Sequence, residues 1–298
     1  MNIVITGASG FIGSALVSSL AAAGHKVTPL VRYYPKAGEQ ALYWDPAGGK
    51  LEAAGLENRD AVVHLAGESI TGRWTAAKKQ RIRQSRVEGT NLLASTLAEL
   101  LHKPKVLVCA SAIGYYGDRG DETLREESPP GRSFLANTCV EWEAAAKAAA
   151  DAGIRIVHLR IGVVLHPKGG ALKQMLLPFK LGAGGIIGSG KQWWSWIALD
   201  DLVGAFEQAL TNQSLRGPVN AVAPHPVTNA EFTKTLGRVL SRPTIFPMPA
   251  FAARLALGEM ADELLLASAR VEPARLTASG YSFRYPQLEP ALRHLLGR

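Results

Sequence analysis

The chain has 298 residues, enough to bury a full α/β core and carry a smaller second lobe. Hydrophobic residues make up 47% and charged residues 19%, which excludes a disordered chain. The formal charge is +8, yet the basic residues are spread along the sequence with no long Lys/Arg run and no nucleic-acid reading module, so nucleic acid is not an expected partner.

Ile3, Val4 and Ile5 form a β-branched run bounded by glycine, the pattern of a buried parallel strand. Phe11 to Ala23 carries the apolar spacing of a helix that ends at Gly24. Between them stands Thr6-Gly7-Ala8-Ser9-Gly10-Phe11-Ile12-Gly13. In such a turn the first glycine permits the bend, the second lets backbone approach a pyrophosphate, and the third lets helix and strand pack closely. The helix start then offers free N–H groups and a partial positive charge to phosphates. Strand context before the glycines and helix context after them make this a specific sign of a dinucleotide site.

His25 to Val31 alternates into a second strand ending Leu30-Val31-Arg32. NAD-binding folds place an acidic residue about 20 residues past the glycines for the ribose hydroxyls. Here that carboxylate is replaced by an apolar residue followed by Arg32. An arginine fork suits a 2′-phosphate, so NADP(H) is expected in preference to NAD(H).

Further along, Asp60 to Leu65 reads as a strand ending His64-Leu65-Ala66-Gly67, and Thr75 to Leu101 as a long helix. Within it, Lys78-Lys79-Gln80-Arg81-Ile82-Arg83 has the spacing of a solvated helix face. Val106 to Ala110 is a strand, Ser133 to Ala152 a helix, and Ile154 to Leu159 a strand. The alternation predicts a Rossmann-like, doubly wound parallel sheet over residues 1–165. After Gly170 the rhythm changes. Residues 180–190 are glycine-rich, Trp193, Trp194 and Trp196 cluster, and the tail from about Pro247 is helical and rich in alanine and leucine. Residues 166–298 are expected to form a smaller, mostly helical lobe, with part of 166–245 returning to the first domain.

The two cysteines, Cys109 and Cys139, make neither a disulfide framework nor a metal motif and read as small core residues. No metal site is expected. No run of about 18 apolar residues predicts a membrane span, and the first strand leaves no room for a signal segment, so a cytoplasmic location is the default.

The glycine turn, Val63-His64-Leu65-Ala66-Gly67, Ser111-Ala112-Ile113-Gly114-Tyr115-Tyr116-Gly117 and Trp196-Ile197-Ala198-Leu199-Asp200-Asp201-Leu202 together resemble the extended short-chain dehydrogenase/reductase superfamily, which contains the NAD-dependent epimerase/dehydratases. Gly67-Glu68-Ser69-Ile70, Gly72-Arg73-Trp74, Ser85-Arg86-Val87-Glu88-Gly89-Thr90 and Leu257-Gly258-Glu259-Met260 resemble its atypical "epimerase family protein" branch, which closes with a helical domain of unknown function. The resemblance spans most of the chain. It implies cofactor contacts from Thr6, Gly7, Ser9, Gly10, Phe11, Ile12 and Gly13 at the pyrophosphate, an adenosine or pyrophosphate wall of Leu65, Ala66 and Gly67, and further cofactor contacts from Glu68 and Ser85.

Active members of the superfamily use a tyrosine as acid/base, a lysine four residues later that lowers its pKa and holds the ribose, a serine or threonine that binds the reacting oxygen, and an upstream asparagine. Ser111 matches the serine. Leu135 stands at the tyrosine position, Cys139 at the lysine position, and Ser85 at the asparagine position. A positioned acid typically contributes 10²- to 10⁴-fold, and leucine donates nothing. Tyr115 and Tyr116 are the candidate substitutes; each otherwise packs or touches the cofactor. Glu68 reaches the site or caps a helix. Trp193, Trp194 and Trp196 line a pocket or pack between lobes, and Arg73 beside Trp74 suits an anionic substrate. The expected activity is redox or epimerase-like chemistry on a small molecule; the alternative is an NADP(H)-binding sensor without turnover. Homodimerisation is expected only by analogy with the superfamily.

Overall fold

A computed structural model describes residues 1–298. The chain builds fourteen strands: β1 Asn2–Thr6, β2 Lys26–Val31, β3 Leu42–Asp45, β4 Lys50–Leu51, β5 Ala61–His64, β6 Val106–Ala112, β7 Thr123–Leu124, β8 Arg155–Ile161, β9 Val163–His166, β10 Trp193–Trp194, β11 Trp196–Ala198, β12 Gly217–Ala221, β13 Val227–Thr228 and β14 Arg270–Val271. The α-helices are α1 Phe11–Ala22, α2 Ala76–Glu99, α3 Phe134–Ala144, α4 Lys147–Asp151, α5 Gly170–Lys180, α6 Leu199–Thr211, α7 Asn229–Leu240, α8 Ala250–Leu257, α9 Ala274–Ala278 and α10 Leu288–Leu296. None is long and apolar enough to cross a membrane.

Eight strands form one sheet in the order β12-β8-β6-β5-β1-β2-β3-β4, parallel except at the β3–β4 edge. From β1 the chain runs outward through β2 and β3, then returns to β5 on the other side of β1 and continues through β6, β8 and β12. Strand order therefore reverses at β1, and the crevice beyond the carboxyl ends of β1 and β5 is where such sheets bind ligands. Successive side chains on β1 feed opposite layers. Ile3 and Ile5 pack with Leu16, Leu20, Leu202 and Phe206 on the α1/α6 face, while Val4 packs with Leu30, Val62, Leu93 and Leu97 on the α2 face. Both layers cover the sheet, as a parallel sheet requires.

The expected elements of the first 165 residues are present with ends shifted by a residue or two, except one. The helix expected over Ser133 to Ala152 is two: α3 ends at Ala144, the Ala146 N–H turns back to the Glu143 carbonyl, and α4 restarts at Lys147. The alanine-rich run carries no proline or glycine to mark the break. Beyond Gly170, β12 returns to the edge of the main sheet beside β8, with Asn220 opposite Arg160. A third apolar cluster, containing Trp194, Trp196, Phe232, Leu236 and Leu292, is the core of the remaining lobe.

Candidate functional site

β1 delivers Thr6 to the base of the glycine turn, where its side chain is fully buried. Thr6 Oγ1 accepts the N–H groups of Leu65 (3.0 Å) and Ala66 (3.1 Å) and lies 2.8 Å from His64 Nδ1. With two donors already on it, the hydroxyl sends its own proton to Nδ1, which assigns the His64 proton to Nε2. Burial, helped by the charge of Arg86, lowers the His64 pKa to about 4, so the ring is neutral. Thr6 thus works from behind, tying the Leu65-Ala66-Gly67 wall to the turn.

Gly7 has φ +67°, and a Cβ there would stand 2.9 Å from the Ala66 nitrogen. A Cβ on Gly13 would lie 2.1 Å from the Gly7 carbonyl oxygen, so helix and strand touch backbone to backbone. Gly10 is the N-cap of α1 with no side-chain cap and no acidic residue in the first turn. Ser9 and Gly10 are exposed; Phe11 and Ile12 are half-buried. The opening N–H groups of α1 are free of side-chain partners, which fits a pyrophosphate.

Arg32 projects just past β2, exposed and without a hydrogen bond or ion pair in the chain. Its charge is felt at Glu68, whose carboxylate is bonded by Lys78 Nζ at 2.7 Å with Arg81 Nε at 3.8 Å. The Lys78 hydrogen bond leads in holding the Glu68 pKa below the ordinary carboxylate range. Glu68 does not cap α2; Thr75 does, accepting the Lys78 N–H at 3.2 Å. Ser85 is committed elsewhere than expected: its Oγ accepts the Glu68 N–H (2.9 Å) and donates to the Ile82 carbonyl (3.1 Å), so it braces the wall from behind.

At the carboxyl end of β6, Ser111 is 3% exposed and donates to Glu143 Oε1 at 2.7 Å. Arg160, from β8, grips the same carboxylate with Nε to Oε1 and a terminal nitrogen to Oε2, both at 2.8 Å. Its other terminal nitrogen donates to Tyr116 Oη (3.0 Å) and the Glu126 carbonyl (3.1 Å). Burial opposes the Arg160 charge, yet Glu143 holds its pKa above the ordinary value. The guanidinium also stacks on the half-buried Tyr115 ring, 3.4 Å from its centroid.

All three catalytic candidates meet at this cluster, but only two remain available. Tyr115 keeps a phenol with no hydrogen-bond partner in the chain, on the loop that follows Ser111. Tyr116 is corrected: it is fully buried, donates to Asn220 Oδ1 at 2.7 Å, and burial pushes its phenol up to about 12. A phenol so enclosed is a structural strut.

Leu135 packs into an apolar cluster with Trp74, Ile82 and Met260, so hydrocarbon fills the place of the missing acid. Cys139 is buried, and burial pushes its thiol up to about 12, the state of an inert core sulfur. The N-terminus of α3 is held from the far end of the chain: Glu263 accepts the Ser133 hydroxyl (2.6 Å) and the N–H groups of Phe134 (3.0 Å) and Leu135 (3.3 Å). Lys79 meets Glu259 at 2.8 Å beside it. The tryptophans are packing elements: Trp196 is fully buried, Trp194 nearly so, and Trp193 lies under Arg270 with its indole N–H on Asp121. Arg73 is exposed, with its chain 3.6 Å from where a Gly258 side chain would begin.

Glu143, Arg160, Arg86 and Glu263 were not anticipated from the sequence. A signal existed for Glu143. It follows Leu135 and Cys139 at successive steps of four, so all three share one face of α3.

The NAD dependent epimerase/dehydratase family matches residues 3–221, and a domain of unknown function, DUF1731, matches residues 248–295. The chain belongs to the NAD dependent epimerase/dehydratase family. It is 43% identical over 297 residues to the epimerase family protein MT2273 of Mycobacterium tuberculosis, covering 99% of this chain and 98% of that one. Human epimerase family protein SDR39U1 is 39% identical over 300 residues, with 99% and 100% covered. A crystal structure of that human protein with NADPH superimposes with a TM-score of 0.91 at 38% identity, covering 100% of this chain and 99% of the other. MoeE5 with UDP-glucuronic acid and NAD, at 23% identity and a TM-score of 0.77, shares the fold. Family membership and the extended short-chain dehydrogenase architecture agree with the sequence reading.

Proposed function

We propose that the chain binds NADP(H) and is an atypical short-chain oxidoreductase or epimerase-like enzyme acting on a small molecule. The observation that carries the cofactor reading is the backbone-to-backbone glycine cradle coupled to a second strand that ends in an unpaired arginine with no carboxylate. The NADPH in the human relative's crystal structure supports it. Gly7, Ser9, Gly10, Phe11, Ile12 and Gly13 would surround the pyrophosphate, Arg32 the 2′-phosphate, and Leu65, Ala66 and Gly67 the groove wall. Bound there, the nucleotide supplies a hydride. Ser111 donates its hydroxyl hydrogen to the Glu143 carboxylate that Arg160 also grips, which leaves its oxygen to act as an acceptor for a substrate hydroxyl. Tyr115 is the free O–H donor beside it. Arg73, exposed at the edge of the C-terminal segment, suits an anionic group on the substrate.

Replacing Arg32 by alanine is expected to weaken NADPH at least tenfold, on the order of the 1.5–3 kcal/mol of a charge-assisted hydrogen bond, while leaving NADH unchanged. Calorimetric titration with both nucleotides checks this, and equal losses would refute the 2′-phosphate assignment. For the activity, absorbance is followed with NADPH and a carbonyl library. Turnover that falls by about 10²-fold in Ser111→Ala is the expected result.

The hydrocarbon packing around Leu135 favours a second reading, a sensor that binds the nucleotide and turns nothing over. Tight NADPH binding with silence across the library would select it.

A further inference from the structure

We infer that Arg86 takes over the work of the lysine missing from α3, hydrogen-bonding the ribose on the nicotinamide side of the nucleotide; this rests on the cofactor reading above. Arg86 lies on α2 one turn after Ile82, on the side that faces the groove wall. One terminal nitrogen donates to the carbonyls of Glu68 (3.0 Å) and Ile82 (3.1 Å). The other terminal nitrogen and Nε have no partner in the chain, and no carboxylate forms an ion pair with this guanidinium. Its carbon stands 5.0 Å from the centre of the Trp142 ring.

The free donors sit at a defined place. A Cβ added to Gly67 would meet the guanidinium carbon at 3.4 Å, the paired terminal nitrogen at 3.5 Å and the unpaired one at 3.6 Å, so the guanidinium lies face-on to Gly67, which is itself exposed in the groove wall. Its contact with the Trp142 ring also brings the guanidinium against α3, the helix on which Cys139 occupies the lost lysine's position. The cation therefore touches both the wall and the helix that lost its lysine.

Desolvating a guanidinium with no ion-pair partner is costly, and burial lowers the pKa of Arg86 although the charge of Glu68 partly opposes the shift. A ligand that accepts hydrogen bonds offsets that cost. A ribose diol offers acceptor oxygens, and arginine brings five N–H donors where lysine brought three. The reactive half of the nucleotide is then held from α2 and not from α3. That separation frees Cys139 to be a core residue.

The test is calorimetry on the full chain and on Arg86→Ala, Arg86→Gln and Arg86→Lys. The probes are NADPH, NADH and adenosine 2′,5′-bisphosphate, which lacks the nicotinamide-side ribose. Arg86→Ala is expected to weaken both dinucleotides about tenfold, the size of one charge-assisted hydrogen bond, and to leave the bisphosphate unchanged. Arg86→Lys should keep most of the affinity. Arg86→Gln carries the same expectation as alanine and serves if alanine impairs folding. An equal loss for the bisphosphate would assign Arg86 a merely structural role through Glu68, and unchanged dinucleotide affinity would overturn the inference outright. Wild-type protein giving no heat with any probe would instead remove the cofactor reading, and the inference with it.

Discussion

Replacing Glu143 by alanine is expected to lower folding stability by about 3–5 kcal/mol, the usual cost of stripping the partner from a buried ion pair. Arg160 is 3% exposed, and its guanidinium spends two of its nitrogens on this one carboxylate. Without Glu143 the charge keeps only Tyr116 and a carbonyl as acceptors, and Ser111 loses the oxygen that takes its proton. Urea denaturation measures the change, and a loss below about 1 kcal/mol would mean that the pair behaves as a surface pair and that the cluster is open to solvent. A cycle with Arg160→Met isolates the interaction: removing both charges should cost less than the sum of the single changes, because neither partner is left stranded.

Acid is expected to unfold the protein from the middle of its sheet. His64 has a folded pKa of about 4 against an ordinary value of 6.5, caused chiefly by burial and secondly by Arg86. Because the folded value is the lower, the unfolded chain binds the extra proton between these two pH values. The contribution is therefore complete above pH 6.5 and is lost as pH falls toward 4, amounting to about 3 kcal/mol over that window. The hydrogen-bond pattern also suits the neutral ring. An imidazolium would place a donor on Nδ1 against a Thr6 oxygen that already accepts two N–H groups. Stability measured from pH 7.5 to 4.5 should show this slope, and His64→Gln should flatten it by roughly one proton's worth. An unchanged slope in the variant would place the linkage elsewhere. Since His64 sits under the wall at Leu65 and Ala66, nucleotide affinity should fall in the same window.

The readable parts of the protein were those in which a local stretch of chain carries its own physical requirement. The glycine turn needs a positive φ at Gly7 and no side chain at Gly13, and those needs are written within thirteen residues. Ser111 and the Leu65-Ala66-Gly67 stretch are legible as strand-end motifs, which parallel sheets place on one edge. The Glu143–Arg160 pair was not visible because its members come from a helix and a strand seventeen residues apart, and each alone reads as an ordinary charged residue. Arg86 was hidden for a related reason: it sits within a basic helix whose outer face is solvated, and only the packing of α2 shows which cation turns inward. Tyr115 and Tyr116 are adjacent and chemically equal in the sequence. Their fates separate because Asn220, on a strand that returns to the sheet from the second lobe, and Arg160 claim one hydroxyl and leave the other.

The contact of Glu263 with the start of α3 joins the two stretches that match separate family models. A helix that in other members would present the acid is here terminated by a carboxylate lying 128 to 130 residues downstream in the chain. The two matches are thus separate in sequence, while mechanically the closing segment behaves as a keystone. Shortening the gene product at that seam would leave three donors unanswered and an oily face wet.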